Sequence, residues 1–131
     1  MDYQTNPMRG IRGAITVERD NANEIAAATL LLFETMMEKN QLVPDDVTAV
    51  FITVTHDLKS AFPARSIRKI EKYRFLPLMC AQEIPVEGAL KRCIRLMMIA
   101  FCPSASQDAI RHVYLGETQK LRMDLKGENN G

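Results

Sequence analysis

The sequence predicts an α+β fold in which one long helix and short helices cover one face of a five-stranded mixed sheet. Three observations predict it. One 18-residue stretch is built of strong helix formers, about five separate runs are alternating or β-branched, and turn residues separate them. A sheet covered on one side leaves its other face open, so the same arithmetic predicts an oligomer.

The elements follow in order. Residues 1–7 are polar and read as a leader, with Met8 a second candidate start. From Arg9 to Val17 residues alternate: Arg9, Ile11, Gly13 and Ile15 share one face of a strand, and Arg12 shares the other with the small Gly10 and Ala14. A strand with such small residues is expected where another backbone or a ligand comes close. Asn21 and Glu24 resemble a capping box that opens the main helix over residues 22–39, with Ile25, Ala28, Leu32 and Met36 as its apolar stripe. Pro44-Asp45-Asp46 breaks the chain, and residues 47–54 read as a buried strand.

A second helix is expected over residues 60–72, opening through Phe62-Pro63-Ala64. A strand follows over 75–82, made an edge or irregular strand by Pro77. Gly88 marks a turn before a strand over 91–101, whose Leu96–Phe101 run is expected to be buried. One helical turn begins at Ser106-Gln107-Asp108, residues 111–115 extend again, and 126–131 form a polar tail. There are no repeats or low-complexity segments, so residues 8–125 are read as one domain.

At 131 residues, with 47% apolar and 25% charged, the chain has the balance of a globular protein that buries a core. A net charge of +1 and the lack of a basic tail argue against nucleic acid, and no apolar run approaches membrane-spanning length. Cys80, Cys93 and Cys102 cannot all pair and form no CxxC; His56 and His112 are far apart. Neither a metal site nor a redox pair is read, and free thiols fit the reducing cytoplasm.

The informative oddity is Arg95, flanked by apolar residues in its strand and so expected to be partly buried. An unpaired buried guanidinium is costly, so it must reach solvent, meet a carboxylate, or serve an anion. Arg12 raises the same question, and two strand arginines aimed at one cavity would make a receptor for a dicarboxylate. Cys80 lacks a nearby base, and its plain alternative is a small buried hydrophobe; Glu83 would more commonly be a solvated strand end. Met36-Met37 and Met97-Met98 read as core, and Arg65 with Arg68 as a solvated basic face.

Taken together, Arg9-Gly10-Ile11-Arg12-Gly13-Ala14, Thr16-Val17-Glu18, Phe62-Pro63-Ala64-Arg65 with Arg68, and Pro77-Leu78 with Cys80 and Gln82-Glu83 resemble the small trimeric chorismate mutases of the AroH type. Leu90-Lys91-Arg92-Cys93-Ile94-Arg95, Ile110-Arg111-His112-Val113-Tyr114-Leu115 and Leu121-Arg122 complete the resemblance, from about residue 8 to 125.

The resemblance implies a trimeric pseudo α/β barrel that rearranges chorismate to prephenate at subunit interfaces, with no cofactor or metal. It implies Arg95 on the substrate's ether oxygen, Arg12 and Tyr114 on the enolpyruvyl carboxylate, and Glu83 with Cys80 on the ring hydroxyl. Phe62, Ala64, Arg65 and Arg68 would come from the adjacent chain, Leu78 and Met79 would line the wall, and Leu121 and Arg122 would belong to a covering arm. The sequence departs from the family in Met123, where Pro is common, in the bulky Met79, in an extra residue near Cys102-Pro103-Ser104, and in Gly88-Ala89. The competing readings are a non-catalytic small-molecule module on the same fold and, more remotely, a nucleic-acid surface of Arg65, Arg68 and Lys69.

Overall fold

The computed structural model describes residues 6–120. Most of the leader, the 126–131 tail, and the expected arm residues Leu121, Arg122 and Met123 lie outside the described residues. The strands are β1 (Met8–Thr16), β2 (Val47–Val54), β3 (Leu78–Gln82), β4 (Cys93–Phe101) and β5 (Val113–Tyr114); the helices are α1 (Ala22–Lys39) and α2 (Ala64–Arg68). They form one five-stranded sheet in the order β3-β2-β4-β1-β5. β4 runs antiparallel to both neighbours, while β2–β3 and β1–β5 are parallel, so the sheet is mixed.

α1 begins where Asn21 accepts hydrogen bonds from the Asn23 and Glu24 amides. Glu24 does not complete a capping box: its carboxylate instead takes the backbone amide and guanidinium of Arg19. The expected stripe points inward, with Ile25, Leu32 and Met36 fully buried and Phe33 and Met37 beside them. Gly13 lets this helix approach, since a Cβ there would collide with Met36 Sδ.

The second helix is shorter than its composition predicts. Asp20 accepts from the Lys59 and Ser60 amides and holds them out of any helix. Ile70 is extended, and a short 3-10 turn at Glu71–Tyr73 then swings Tyr73 edge-on against Phe33, 4.9 Å between ring centroids. Tertiary burial of one aromatic overrides local propensity here. β3 starts only after Pro77, which has no amide to give the ladder but whose carbonyl accepts from Val50. β3 is an edge, as Pro77 predicted.

β4 starts at Cys93 because Arg92 is left-handed, with φ at 49°. The Asp57 carboxylate takes the Arg92 amide, and the Thr55 hydroxyl takes that of Cys93. The Leu96–Phe101 run is buried on one face only: Leu96, Met98 and Ala100 are core, whereas Met97 and Phe101 face outward. Strand alternation, which composition alone conceals in a run without polar residues, decides this. Phe51 and Met79 share that outward face, leaving a row of large apolar side chains exposed among the described residues. No helix among the described residues is long and apolar enough to cross a membrane.

Candidate active site

The open face carries the chemistry. Directly paired positions run across all five strands as Ala81, Thr53, Arg95, Ala14 and Tyr114. The adjacent row is Met79, Phe51, Met97 and Arg12. Paired residues project to the same face, so these registers gather Arg12, Arg95, Thr53 and Tyr114 over a floor of Phe51 and Met97. Ala14 is small, which leaves space between Arg95 and Tyr114. The resulting basin of about 500 Å3 is also lined by Gln82, Glu83, Ile84 and Lys120.

Arg95 and Glu83 dominate it. Nε and Nη2 of Arg95 each donate at 2.7 Å to the two Glu83 oxygens, a forked pair. The Thr53 hydroxyl also donates to Glu83. The Arg95 hydrogen bonds hold the Glu83 carboxyl below its ordinary value, and Glu83 in turn pushes the guanidinium up, so both stay charged. Arg95 is more exposed than its apolar neighbours predicted, 54% for its side chain, because it sits on the open face. The pair uses two of its three nitrogens and leaves Nη1 outside the fork.

Arg12 is anchored through its backbone, whose amide donates to His112 Nδ1 at 2.9 Å. Burial and then the Arg12 charge push the His112 ring below its ordinary value, which keeps that nitrogen an acceptor. Cys93, buried two residues before Arg95 on the same strand, has its thiol pushed up to about 11 by burial and stays neutral. No group of three or more His, Cys, Asp or Glu among the described residues could hold a metal ion.

The other expected site residues do not gather here. Phe62, Arg65 and Cys80 line a separate cleft of about 1060 Å3 between α1, the α2 region and the end of β3. Cys80 pairs with the fully buried Ile52 and so belongs to the helix-covered face, whereas Glu83 turns to the open one. Within one chain the two therefore line different cavities, because their odd spacing along an extended segment separates them. The two cavities share only Gln82 in their linings. Ala64 is buried at the start of α2, Arg68 is exposed outside both linings, Leu78 packs against the core, and Met79 is 62% exposed. Thr53 and Lys120 carry no signal in the sequence, and His112 none beyond its place in the Ile110–Leu115 motif; strand register or a chain reversal places each.

A cationic basin with one clamped carboxylate, open beside an apolar face, defines a receptor for a small organic anion. Comparison with known proteins makes the class specific. The family model for chorismate mutase type I matches residues 8–125. The chain is 44% identical over 123 residues to chorismate mutase AroH of Bacillus subtilis (strain 168), covering 94% of this chain and 96% of that one. It is 47% identical over 120 residues to chorismate mutase AroH of Thermus thermophilus, covering 91% and 97%. A solved chorismate mutase from Clostridium thermocellum superimposes with a TM-score of 0.81 at 42% identity, covering 85% of this chain and 97% of that chain. The chain belongs to the chorismate mutase type I family.

Proposed function

We propose that this chain, a chorismate mutase by family, converts chorismate to prephenate in its Arg12–Glu83–Arg95–Tyr114 basin by preorganised electrostatics, and so serves aromatic amino acid biosynthesis. The reaction is an intramolecular Claisen rearrangement, in which one C–O bond breaks as a C–C bond forms. It needs no nucleophile and no proton transfer; it needs the reactive conformer held and the separating charge met. Even the low end of enzymatic acceleration asks for about 8 kcal/mol.

The observation that carries the reading is the Arg95–Glu83 fork, which fixes the guanidinium through Nε and Nη2 and leaves Nη1 outside the fork. In this reading Nη1 donates to the ether oxygen, whose charge grows only as the bond breaks, so the interaction favours the transition state over the ground state. Arg12 and Tyr114 hold the enolpyruvyl carboxylate. Glu83, kept ionised by Arg95, receives the ring hydroxyl and faces the positive character that builds on the ring. A non-catalytic module would need the arginines but not a carboxylate facing the ring.

Assembly follows from what one chain lacks. Among the described residues Phe51, Met79, Met97 and Phe101 remain exposed beside the basin and need cover. We infer a homotrimeric pseudo α/β barrel in which the cleft of Phe62, Arg65 and Cys80 closes over a neighbour's basin, with Ala64 beneath it, Arg68 near the ring carboxylate, and Leu78 and Met79 along the wall. Cys80 then meets the substrate hydroxyl from the chain opposite to the one that supplies Glu83. Three free thiols fit a cytoplasmic protein.

Loss of chorismate ultraviolet absorbance, followed with and without a chelator, tests the function. Saturable consumption unaffected by chelator is expected; a rate no higher than the spontaneous one would return the chain to the binding-module reading.

A further inference from the structure

The described chain ends by reversing beside β1. Gly116 turns it in the left-handed region, φ 62°, where a Cβ would lie 2.8 Å from Thr16 Oγ1. The Glu117 amide then donates to Thr16 Oγ1 at 3.0 Å, and the fully buried Thr118 hydroxyl donates to the Ala14 carbonyl at 3.0 Å. These bonds stitch residues 116–118 to the β1 segment that carries Ala14. Lys120, two residues on, is thereby held at the basin rim as one of its lining residues.

Its ammonium meets Glu117 at 2.9 Å, with both side chains well over half exposed. Such an exposed pair is weak and readily exchanged. The lining holds three cationic side chains, Arg12, Arg95 and Lys120, against the single carboxylate Glu83, leaving two positive charges in excess. Without Lys120 the chain's own excess falls to one, because Arg95 is already matched by Glu83, and the neighbour's Arg68 proposed above adds to it from across the interface. The substrate assigned to this basin carries two carboxylates. We infer that Lys120 is a further substrate-binding cation, which leaves Glu117 for a substrate carboxylate as the ligand enters. This rests on the chorismate reading above and extends it to a residue that takes no part in the bond rearrangement.

Steady-state kinetics of the full chain and of Lys120→Met, at low salt and at about 0.15 M, test it. The expected result is a KM raised about fivefold with kcat within twofold, since the contact is equal in ground and transition states. The salt dependence of kcat/KM should be shallower in Lys120→Met, and Lys120→Arg should restore KM. A KM within twofold of wild type in Lys120→Met, at an unchanged melting temperature, overturns the assignment. So does a kcat loss as large as the rise in KM. A wild-type chain that does not consume chorismate would instead overturn the underlying activity.

Discussion

Arg95→Ala separates catalysis from stability. The side chain makes two 2.7 Å bonds to Glu83, but more than half of it is exposed, so solvent screens the pair and its net contribution to folding is about 1 kcal/mol or less. Its proposed contribution to the transition state is larger: losing one preorganised donor costs about 3–4 kcal/mol, or roughly 10²–10³-fold in kcat. The expected outcome is a fall of that size in kcat, a small change in KM, and a urea midpoint close to wild type. Arg95→Lys sharpens the test. An ammonium keeps the charge but lacks the planar fork, so it cannot hold Glu83 bidentately and face the ether oxygen together. It should recover less than a tenth of the lost rate. A kcat loss under tenfold in Arg95→Ala, or one that tracks unfolding, would refute the reasoning.

Mixed oligomers test the shared site. Chains carrying Arg95→Ala and Arg65→Ala should be nearly inactive alone, yet random mixing should restore about a quarter of wild-type activity, because one site in four then draws both halves intact; no recovery in verified mixed oligomers would refute sharing. His112 predicts a pH dependence. Its folded value lies below the ordinary 6.5, so its contribution is full above pH 6.5 and is lost as pH falls from there toward the depressed value. The stability advantage of wild type over His112→Gln, about 1 kcal/mol for the acceptor to the Arg12 amide, should therefore shrink across that window in urea titrations. An advantage independent of pH would show that the ring's acceptor role is not what matters.

Much of the fold was legible because its signals are local. The 22–39 helix and the 47–54 strand come out at the boundaries their composition predicts, since good helix formers and β-branched residues state their preferences within a few positions. The misread stretches share a cause. The 60–72 helix is cut short by Asp20 and by burial of Tyr73, and the start of β4 is moved by Asp57, 35 residues from its partner Arg92. Met97 was read as core because a continuous apolar strand carries no alternation to say which side faces out.

The sequence by itself determined the helix and strand inventory, the edge position of β3, the two strand arginines, and the family. Only the tertiary structure decided which groups meet. Thr53, Arg95, Ala14 and Tyr114 are brought into one row by strand register, and Cys80 is parted from Glu83 by the sides of one strand. The reason is that periodicity is a property of neighbours along the chain, whereas register is fixed by the collective packing of α1 against the sheet. A one-residue slip in any strand would send its half of the basin into the core.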